Sequence, residues 1–322
     1  MIDFINYYYD LYPIDIIELG DKYKFIVNDE KYFLVPYDRS VEEINDIYKL
    51  NREMVSSGSL VHEIIVNKFK KILSIFNGVN YVLLRVYVND SKCVSIFDLL
   101  DMLSEGEIVS KNSSLDRTDW SNLWESKVDY LEYQMVHVIK KYPVIYNIID
   151  YYIGLSENAI SYLKEVSSKL VGRLIIGVTH RRIGVNSSLF DLYNPLNFII
   201  DYKVRDIAEY LKSVIINSGD VYKVYDDILS KCYFDKLNLS LLVSRLLFPS
   251  YFFDIFDDIV VDKLNENKIK VITKKSSSIE DFINYVIKDS NLQSISWLSK
   301  LHWQLLLFLE FQMLMCIQSY LW

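Results

Sequence analysis

The first 90 residues contain two β-hairpin patterns separated by one amphipathic helix. "KYKFIVNDEKYFLVPY" places β-prone runs on both sides of Asn28-Asp29-Glu30, and "KILSIFNGVNYVLLRVYV" does so around Asn77-Gly78, where both turn residues tolerate positive φ. Between them, apolar residues recur at helical spacing and stop before Gly58. These residues are Val41, Ile44, Tyr48 and Val55. The predicted order of strand, strand, helix, strand, strand restricts the chain to α+β folds that begin with an antiparallel sheet.

After residue 90 the pattern becomes helical. Asp119 is the predicted N-cap of a helix over 119–141 that Pro143 closes. Its apolar stripe consists of Trp120, Trp124, Val128, Leu131, Met135 and Val138. Further helices are predicted near 156–172, 203–217, 220–232, 237–248 and 278–289, the last with a capping box of Ser277 and Glu280. Two short apolar segments, "LIIGV" and "NFII", interrupt the helices, and residues 265–278 are predicted to be a surface loop.

Composition excludes several classes of protein. The chain has 322 residues, of which 51% are hydrophobic, so it can bury a large core. The net charge is −8 and the basic residues are scattered, so nucleic acid is not an expected partner. The N-terminal "MIDFINYYYDLYPID" has no basic region, which argues against a signal peptide and favours a cytoplasmic protein.

Cysteine and histidine are too dispersed for a metal centre built from these residues alone. Cys93, Cys232 and Cys316 are far apart and odd in number, so they form neither a zinc spacing nor a disulfide framework. The histidines show no HExxH or similar pairing; they are His62, His137, His180 and His302. Any metal must therefore be held by carboxylates or amides.

The segment 178–213, "VTHRRIGVNSSLFDLYNPLNFIIDYKVRDIAEYLKS", is the most informative for function. His180 follows an apolar run, an Asn-Pro pair comes later, and an apolar strand ends at Asp201. Enzymes that transfer the γ-phosphate of ATP have their catalytic groups in this order. The aspartate expected two residues after the histidine is replaced by Arg182.

This segment resembles the aminoglycoside-phosphotransferase and choline-kinase branch of the protein-kinase-like fold. The chain is more closely similar to the spore-coat-associated kinase-like proteins of spore-forming bacteria. The stretches that carry this resemblance cover most of residues 22–298 in a fixed order. They are "YFLVPY", "LWESKVDYLE", "KYP", "YYIGLSENAISYL", "VTHRR", "IIDYKVRDIAEYLK", "RLLFPSYFFDIFDDI" and "ISWL".

The resemblance implies an α+β fold with two lobes, each with its own range. Residues 1–90 are expected to form a small antiparallel-sheet N-lobe with one helix. Residues 91–300 are expected to form a larger, mainly helical C-lobe with a degenerate catalytic loop. Residues 301–322 are expected to be a hydrophobic C-terminal helix or tail.

Several parts that handle phosphate in such enzymes are missing. The first hairpin offers only Gly20-Asp21, without the glycine-rich loop whose backbone N–H groups approach phosphate. The position of the strand-three lysine is occupied by Val35-Pro36-Tyr37, and Lys31 lies at the wrong end of that strand. Glu43 or Glu53 matches the helix glutamate that would pair with such a lysine, although each is expected to be a solvated carboxylate.

The catalytic candidates are His180 and Asp191. The resemblance implies that His180 organises the loop through hydrogen bonds and does not carry the chemistry. Arg182 is a permanent cation and cannot accept a proton, so the usual base is absent. Asp191 is the nearest substitute, and its structural alternative is a loop or cap aspartate.

The metal-binding candidates are Asp201 and Asn197. Asp201 ends a strand that is expected to be buried, where an unpaired carboxylate is costly. Asn194 is an alternative to Asn197, but it precedes proline and is typical of a turn. Asp206 is predicted to cap the next helix and to form an ion pair with its neighbour Arg205.

The last 22 residues, "LHWQLLLFLEFQMLMCIQSYLW", contain Glu310 as their only formal charge. This length is close to the roughly 20 residues that cross a bilayer. The glutamines, Glu310 and the lack of a flanking basic cluster favour docking on protein. Contact with a membrane through 301–322 is possible but not favoured.

Together these features predict a kinase-like protein that has lost phosphotransfer and has a structural or assembly role, in the spore coat if the family resemblance holds. No cofactor is expected, and the partners are other coat or assembly proteins. The alternative is a divergent phosphotransferase that uses ATP and Mg²⁺ on a small hydroxyl or amino compound. A third hypothesis is a scaffold that contacts a membrane through its C-terminal stretch.

Overall fold

The computed structural model describes residues 1–88, 90–104, 113–138, 141–261, 264–295 and 298, with the backbone alone at 137 and 138. These residues form two compact units. Unit 1 comprises residues 1–118 and 176–206, and unit 2 comprises residues 119–175 and the residues from 207 onward. This grouping does not follow the division expected at residue 90, which stays a prediction.

The described residues contain eight strands and twelve α-helices. The strands are β1 (Ile16–Leu19), β2 (Lys22–Val27), β3 (Glu30–Pro36), β4 (Glu63–Ile65), β5 (Ser74–Phe76), β6 (Val79–Val86), β7 (Ile176–His180) and β8 (Phe198–Tyr202). The first six helices are α1 (Ile2–Tyr9), α2 (Val41–Ser56), α3 (Ile96–Ser104), α4 (Trp120–Val138), α5 (Pro143–Lys169) and α6 (Leu189–Leu192). The others are α7 (Val204–Ile216), α8 (Val221–Lys231), α9 (Lys236–Leu247), α10 (Ser250–Val261), α11 (Ile269–Thr273) and α12 (Ser276–Asp289).

Both predicted hairpins are present in unit 1, and turn chemistry explains them. Asn28 and Asp29 join β2 to β3 with φ of 51° and 63°. Asn77 and Gly78 join β5 to β6 with φ of 49° and 81°. Asparagine, aspartate and glycine tolerate this left-handed region better than other residues, so both turns are determined locally.

The main sheet has six antiparallel strands, two more than the hairpin patterns predict. Its order is β1-β2-β3-β6-β4, and β5 pairs with β6. The additional strands, β1 and β4, are only four and three residues long, which is too short for a clear alternating pattern. A separate two-stranded sheet pairs β7 with β8, at the two apolar segments that interrupt the helical pattern.

Each face of the main sheet is covered by a helix of unit 1. Alternate residues of β3 point to opposite faces. Leu34 packs with Phe4 and Ile5 of α1, whereas Phe33 packs in the core that contains Ile44 of α2. The α1 helix is absent from the sequence-based expectations, since its eight residues carry three consecutive tyrosines and no clear apolar stripe.

The predicted tryptophan stripe is buried inside unit 2. Trp120 and Trp124 are each 2% exposed, and their rings stack with centroids 5.3 Å apart. Trp124 also stacks on Phe248, at the end of α9, with centroids 4.4 Å apart. Fully burying one large apolar side chain contributes about 1.5–3 kcal/mol. The packing predicted for Trp120, Trp124, Val128 and Leu131 is therefore confirmed, whereas Met135 is only half-buried and the side chain of Val138 lies outside the described part of the chain.

Three local predictions in the helical part are wrong. The helix predicted near 156–172 begins earlier, at Pro143, because proline is well suited to the first turn of a helix. It includes Gly154 and ends at Lys169. Residues 265–278 are mainly helical, since Ile269 and Ile272 are buried on one face of α11. Ser277 does not form a capping box with Glu280, because α12 begins at Ser276 and Glu280 is buried beside the hydroxyl of Tyr151.

Among the described residues, the stretch Lys236–Val261 is long and apolar enough to cross a membrane, with a mean hydropathy of 1.4. However, 83% of its most apolar window is buried inside the structure, as in the core helices of a soluble protein. Residues 301–322, for which docking on protein is predicted, lie outside the described residues.

Candidate functional site

His180, at the end of β7, is fully enclosed by hydrogen bonds within unit 1. Its Nδ1 lies 2.6 Å from Oδ2 of Asp206, and its Nε2 lies 2.8 Å from the carbonyl oxygen of Leu192. Its backbone N–H also donates to the Asp206 carboxylate at 3.1 Å. The side chains of His180 and Asp206 are both 0% exposed.

The acceptors around His180 restrict what the imidazole can do. A carbonyl oxygen only accepts, so Nε2 donates to Leu192, while Nδ1 faces the Asp206 carboxylate. Both ring nitrogens are therefore engaged in hydrogen bonds inside unit 1. These bonds suit a role in holding the loop together, as the resemblance implies for His180.

The prediction that Asp206 caps α7 and pairs with Arg205 is wrong. Asp206 is the third residue of α7, and among the described residues its carboxylate accepts from His180 alone. A carboxylate with 0% exposure needs several donors, and the backbone and ring of His180 supply them. Neighbouring helical residues such as Arg205 and Asp206 point in different directions, so they do not pair.

Asp201, the main metal-binding candidate, is bound by an arginine. The side chain is 0% exposed in β8, and its Oδ2 accepts from Nη1 of Arg205 at 2.9 Å. Its Oδ1 accepts from the backbone N–H of Tyr202 at 2.7 Å. The two side chains are four residues apart, so the first turn of α7 brings Arg205 back over the end of the strand.

Arg205 uses every side of its guanidinium group. Nε donates to the carbonyl of His180 at 3.2 Å, and Nη2 donates to the carbonyl of Arg181 at 3.2 Å. The remaining nitrogen, Nη1, binds Asp201. The side chain is 9% exposed, so a permanent positive charge is held beside the Asp201 carboxylate. Asp201 as arranged does not fit a Mg²⁺ ion, which would compete with the guanidinium for Oδ2 and with the Tyr202 N–H for Oδ1.

Asp191 is part of a capping box at the start of α6. Its Oδ2 accepts from the backbone N–H and the hydroxyl of Ser188, at 2.9 and 2.8 Å. Its Oδ1 lies 4.0 Å from Nζ of Lys22, and the side chain is 32% exposed. The geometry matches the cap alternative, and a role of Asp191 as a base stays a prediction.

The two asparagine candidates occupy a turn. Oδ1 of Asn194 accepts from the backbone N–H of Leu196 at 3.1 Å and caps a 3₁₀-helix at Pro195–Asn197. Nδ2 of Asn197 lies 3.5 Å from the carbonyl of Asp191. No hydrogen bond joins the side chains of Asn197 and Asp201, both of which the structure describes. A metal site made from this pair stays a prediction.

The loop position of the usual base is occupied by a solvent-facing cation. Arg182 is exposed, and its Nη1 donates to the carbonyl of Arg181 at 2.6 Å. The β1–β2 turn is Gly20-Asp21, with φ of 65° at Gly20, and is too short to enclose a phosphate group. Over the described ranges, no cluster of three His, Cys, Asp or Glu side chains is arranged to hold a metal ion.

Two lysines of the sheet, Lys24 and Lys31, are held by Asp90. Nζ of Lys31 lies 2.7 Å from Oδ1 of Asp90 and 3.2 Å from the carbonyl of Val88, and Nζ of Lys24 lies 2.6 Å from Oδ2. Burial tends to raise the pKa of Asp90, but the bonds from Lys24 and Lys31 outweigh it and lower the pKa to about 2. Two residues beyond Lys31, the ring of Phe33 packs on Phe190 with centroids 4.5 Å apart.

The two glutamates proposed as helix partners differ. Glu53 is exposed, as expected. Glu43 is not a solvated carboxylate: its Oε1 accepts from Arg39 at 2.9 Å and from Arg117 at 2.7 Å. Burial tends to raise the pKa of Glu43, but the bond from Arg39 and the nearby Arg117 hold it below its usual range. Glu43 therefore forms ion pairs with two arginines, in place of the strand-three lysine found in active enzymes of this fold.

His62 is a buried polar residue that sequence reasoning missed. Its side chain is 0% exposed, and in the described part of the chain neither ring nitrogen has a hydrogen bond of good geometry, although the backbone of Phe190 lies near enough to raise the pKa of the ring. The ring stacks on Phe190, with centroids 5.2 Å apart. Burial lowers the pKa of His62 to about 4, so the ring is neutral at pH 7. The apolar flanks in "LVHEII" are the one sequence signal for this burial.

Comparison with known proteins shows the family and the fold of the chain. A family model described as "Spore coat putative kinase YutH" matches residues 2–286. The chain belongs to this family. The endospore coat-associated protein YutH of Bacillus subtilis (strain 168) is 27% identical over 210 residues, which cover 56% of this chain. The match spans 61% of the length of that relative.

Solved structures share the fold at low sequence identity. An aminoglycoside phosphotransferase from Alicyclobacillus acidocaldarius has a TM-score of 0.59 and 11% identity, over 92% of this chain and 94% of that chain. The amicoumacin kinase hAmiN has a TM-score of 0.57 and 11% identity, over 86% and 91%. A microcompartment-associated aminopropanol kinase has a TM-score of 0.56 and 10% identity, over 89% and 97%. The α+β protein-kinase-like fold and the spore-coat kinase-like family are thus confirmed.

Proposed function

We propose that this chain is a catalytically degenerate member of its kinase-like family with a structural or assembly role in the spore coat. The observation that carries the proposal is the buried pair of Asp201 and Arg205, joined at 2.9 Å. In a phosphotransferase of this fold, an aspartate at the end of such a strand holds Mg²⁺. Here a guanidinium group already neutralises that carboxylate.

The energetics of the pair oppose its exchange for a metal ion. To bind Mg²⁺, Asp201 would have to release Arg205, whose charged group is 9% exposed. Removing one partner of a buried ion pair typically costs about 3–5 kcal/mol, because the other charge stays buried without compensation. Arginine also keeps its charge at any accessible pH. The metal would therefore have to displace a well-bonded cation.

The other phosphotransfer parts support the same proposal. Arg182 cannot act as a base, and Phe33 with Phe190 fills the sheet face beyond Lys31. Losing a single stabilising group from such a site costs about 2.7–4 kcal/mol of transition-state energy. Loss of the glycine loop, the strand lysine and the base together leaves little to stabilise a transferring phosphoryl group.

The proposed cellular role rests on the family and on the name of the relative. A coat location is proposed from that name, with synthesis in the cytoplasm before assembly. The proposed partners are other coat or assembly proteins, without nucleic acid and without a required cofactor. Docking of residues 301–322 on protein remains part of this proposal, and contact of this stretch with a membrane is the alternative.

A divergent phosphotransferase is the second candidate, and one observation favours it. The fold is shared with kinases, one of them solved with AMP-PNP and Ca²⁺. In this candidate, ATP and Mg²⁺ act on a small hydroxyl or amino compound, with Asp201 at the metal and Asp191 as the base. The 32% exposure of the Asp191 side chain leaves it open to a substrate.

A thermal-shift titration with ATP and Mg²⁺ separates the two candidates. A ligand at about 100 times its Kd should stabilise the folded state by about 2.7 kcal/mol, and we expect no such shift. We also expect no ATP turnover. Hydrolysis that disappears in a folded Asp201→Asn variant, but persists in an Asp226→Asn control at an exposed site, would overturn the proposal.

The structural role has its own test in a spore-forming host. A fluorescent fusion should localise to the coat, and an Asp201→Asn variant that still folds should localise equally well. Deleting the gene should alter coat assembly in a way that the variant restores. If the variant fails to restore the coat although it is folded and abundant, chemistry at Asp201 is required.

A further inference from the structure

Strand β1 forms an open edge of the main sheet. Among the strands that the structure describes, β1 pairs only with β2, in the register Ile16↔Phe25 to Leu19↔Lys22. Its other side presents backbone N–H and C=O groups to solvent. Such a row is a template for pairing with another extended chain. The geometry of the edge therefore selects an extended partner over a helical one.

The side chains of this edge are apolar and exposed. Ile14 is 91% exposed, Ile17 is 55% exposed and Leu19 is 45% exposed. Ile26, on the neighbouring strand β2, is 57% exposed. Natural sheets usually protect an edge with lysine, a bulge or a covering segment. The sequence "IDIIEL" instead combines exposed aliphatic residues with acids, which suits a surface that is covered in an assembly.

The charge of the edge has a single sign. Residues 1–21 contain five acidic residues and no lysine or arginine. Asp15, Glu18 and Asp21 are exposed on or beside β1, and no ion pair joins them to any described residue. A second copy of this chain, paired through β1, would bring these like charges together, which is destabilising. The charge complement is a basic segment of a different protein.

We propose that the β1 edge binds, by strand addition, an extended segment of another protein in which lysine or arginine alternates with aliphatic residues. Backbone hydrogen bonds to β1 would supply affinity, and alternate side chains would supply selectivity. Ile17 and Leu19 lie on one face of β1 and Glu18 lies on the other. The aliphatic residues of the segment would cover Ile17 and Leu19, and its basic residues would pair with Glu18 on the opposite face. Asp15 and Asp21, just beyond the two ends of the strand, would add to the attraction. This inference deepens the proposed assembly role, on which it rests, by giving it a partner surface.

Hydrogen–deuterium exchange with a defined peptide tests the surface directly. The probe is a soluble six-residue peptide that alternates lysine with isoleucine or valine. We expect it to slow amide exchange at residues 14–19, and to leave α2 unchanged. A peptide with glutamate in place of lysine should bind at least tenfold more weakly. The same basic peptide, N-methylated at alternate backbone nitrogens, should also bind at least tenfold more weakly, because it cannot complete the ladder.

Matched variants separate this edge from a general attraction between charges. The edge variant Asp15→Lys, Glu18→Lys, Asp21→Lys should lose the basic peptide and gain the acidic one. The control variant, with the same change in net charge at exposed helical sites, should bind like the parent. Its substitutions are Glu42→Lys, Glu53→Lys and Asp101→Lys.

Three outcomes would overturn the inference. They are no slowing of exchange at residues 14–19, equal binding of the N-methylated peptide, and equal weakening in the control and edge variants. The experiment needs neither ATP nor spores. It can therefore fail while the proposed function holds, and it can succeed even if the chain proves to be an active phosphotransferase.

Discussion

His62 in unit 1 and Lys212 in unit 2 are both buried ionisable side chains, but they differ in their hydrogen bonds. Nζ of Lys212 donates to four acceptors, at 2.6–3.2 Å. These are Oε1 of Glu209, the carbonyls of Arg245 and Phe248, and the hydroxyl of Ser250. His62 has no partner for either ring nitrogen in the part of the chain that the structure describes.

The difference shows which buried group carries charge. Burial lowers the pKa of Lys212 to about 8 although Glu209 opposes the shift, so the ammonium is still charged at pH 7. The charge is useful there because it binds carbonyl oxygens at the end of α9. His62 is neutral and serves as an aromatic ring against Phe190. Lys212 thus fixes unit 2 through polar bonds, whereas His62 contributes to unit 1 through packing alone.

The largest expected effect comes from breaking the Lys212 network. Lys212→Met removes a charge from beside Glu209, which also accepts from Arg245 at 2.7 Å, and leaves two carbonyl oxygens without this donor. Breaking a buried ion pair costs about 3–5 kcal/mol. We expect a loss of this size in the free energy of unfolding, measured by urea denaturation. Lys223→Met, at an exposed site on α8, should change it by less than about 0.5 kcal/mol.

The second effect concerns the protonation of His62. Its pKa is lowered from 6.5 to about 4 by burial, so below pH 6.5 the unfolded chain binds a proton that the folded chain does not. Stability from this source is full above pH 6.5 and is lost as the pH falls towards about 4. Each pKa unit corresponds to about 1.4 kcal/mol, so the loss approaches about 3 kcal/mol.

Denaturation at several pH values measures this loss. His62→Phe should remove it, so that the parent and the variant differ most in acid. If both chains lose the same stability between pH 6.5 and 4, His62 already has a partner or access to water. The comparison with Lys212 would then lose its basis.

The third effect sharpens the comparison at neutral pH. A buried polar group without a partner costs about 1–3 kcal/mol, and replacing it with an apolar group of similar shape can be neutral or stabilising. We expect His62→Phe to stabilise the protein by about 1 kcal/mol at pH 7.5, where protonation does not contribute. The phenyl ring of the variant would retain the stacking on Phe190, and calorimetry would measure the gain. A destabilisation by more than about 1 kcal/mol would show that the imidazole nitrogens have partners.

The same contrast explains what could be predicted from the sequence. Local signals were sufficient for both hairpins, because Asn28 and Gly78 determine their own turns. The family resemblance located His180 and Asp201 in the chain. It could not give their partners, because Asp206 reaches His180 across 26 residues, and the sheet pairing of β7 with β8 decides that contact. The ion pair of Asp201 and Arg205 could have been predicted, since residues four apart are neighbours on one turn of a helix.

Buried polar residues were the hardest to predict. His62 in "LVHEII" and Lys212 in "YLKSVII" are ionisable residues with apolar neighbours, and neither stretch shows whether the side chain has a hydrogen-bond partner in the folded protein. Besides Glu209 on its own helix, Lys212 finds three acceptors on residues 245–250, beyond any local pattern. The acceptors come from the end of another helix, so only the tertiary fold distinguishes the satisfied lysine from the unsatisfied histidine.

The smallest expected effect tests the charges around His62. Burial is the main cause that lowers the pKa of His62; the backbone of Phe190 tends to raise it, Lys31 tends to lower it, and Asp191 and Asp90 tend to raise it. Asp90→Asn removes one negative charge and also releases Lys31, whose Nζ lies 2.7 Å from Oδ1 of Asp90. The loss of the Asp90 charge should lower the pKa of His62 further, provided that Lys31 keeps its place. Titration of the His62 ring protons by NMR measures the shift, and Asp29→Asn, at an exposed turn, should leave it unchanged.

A rise in the pKa of His62 in the Asp90→Asn variant would mean that Lys31 moves away from the ring once it is released. The electrostatics around His62 would then be set by the loop that holds Asp191, and not by the sheet.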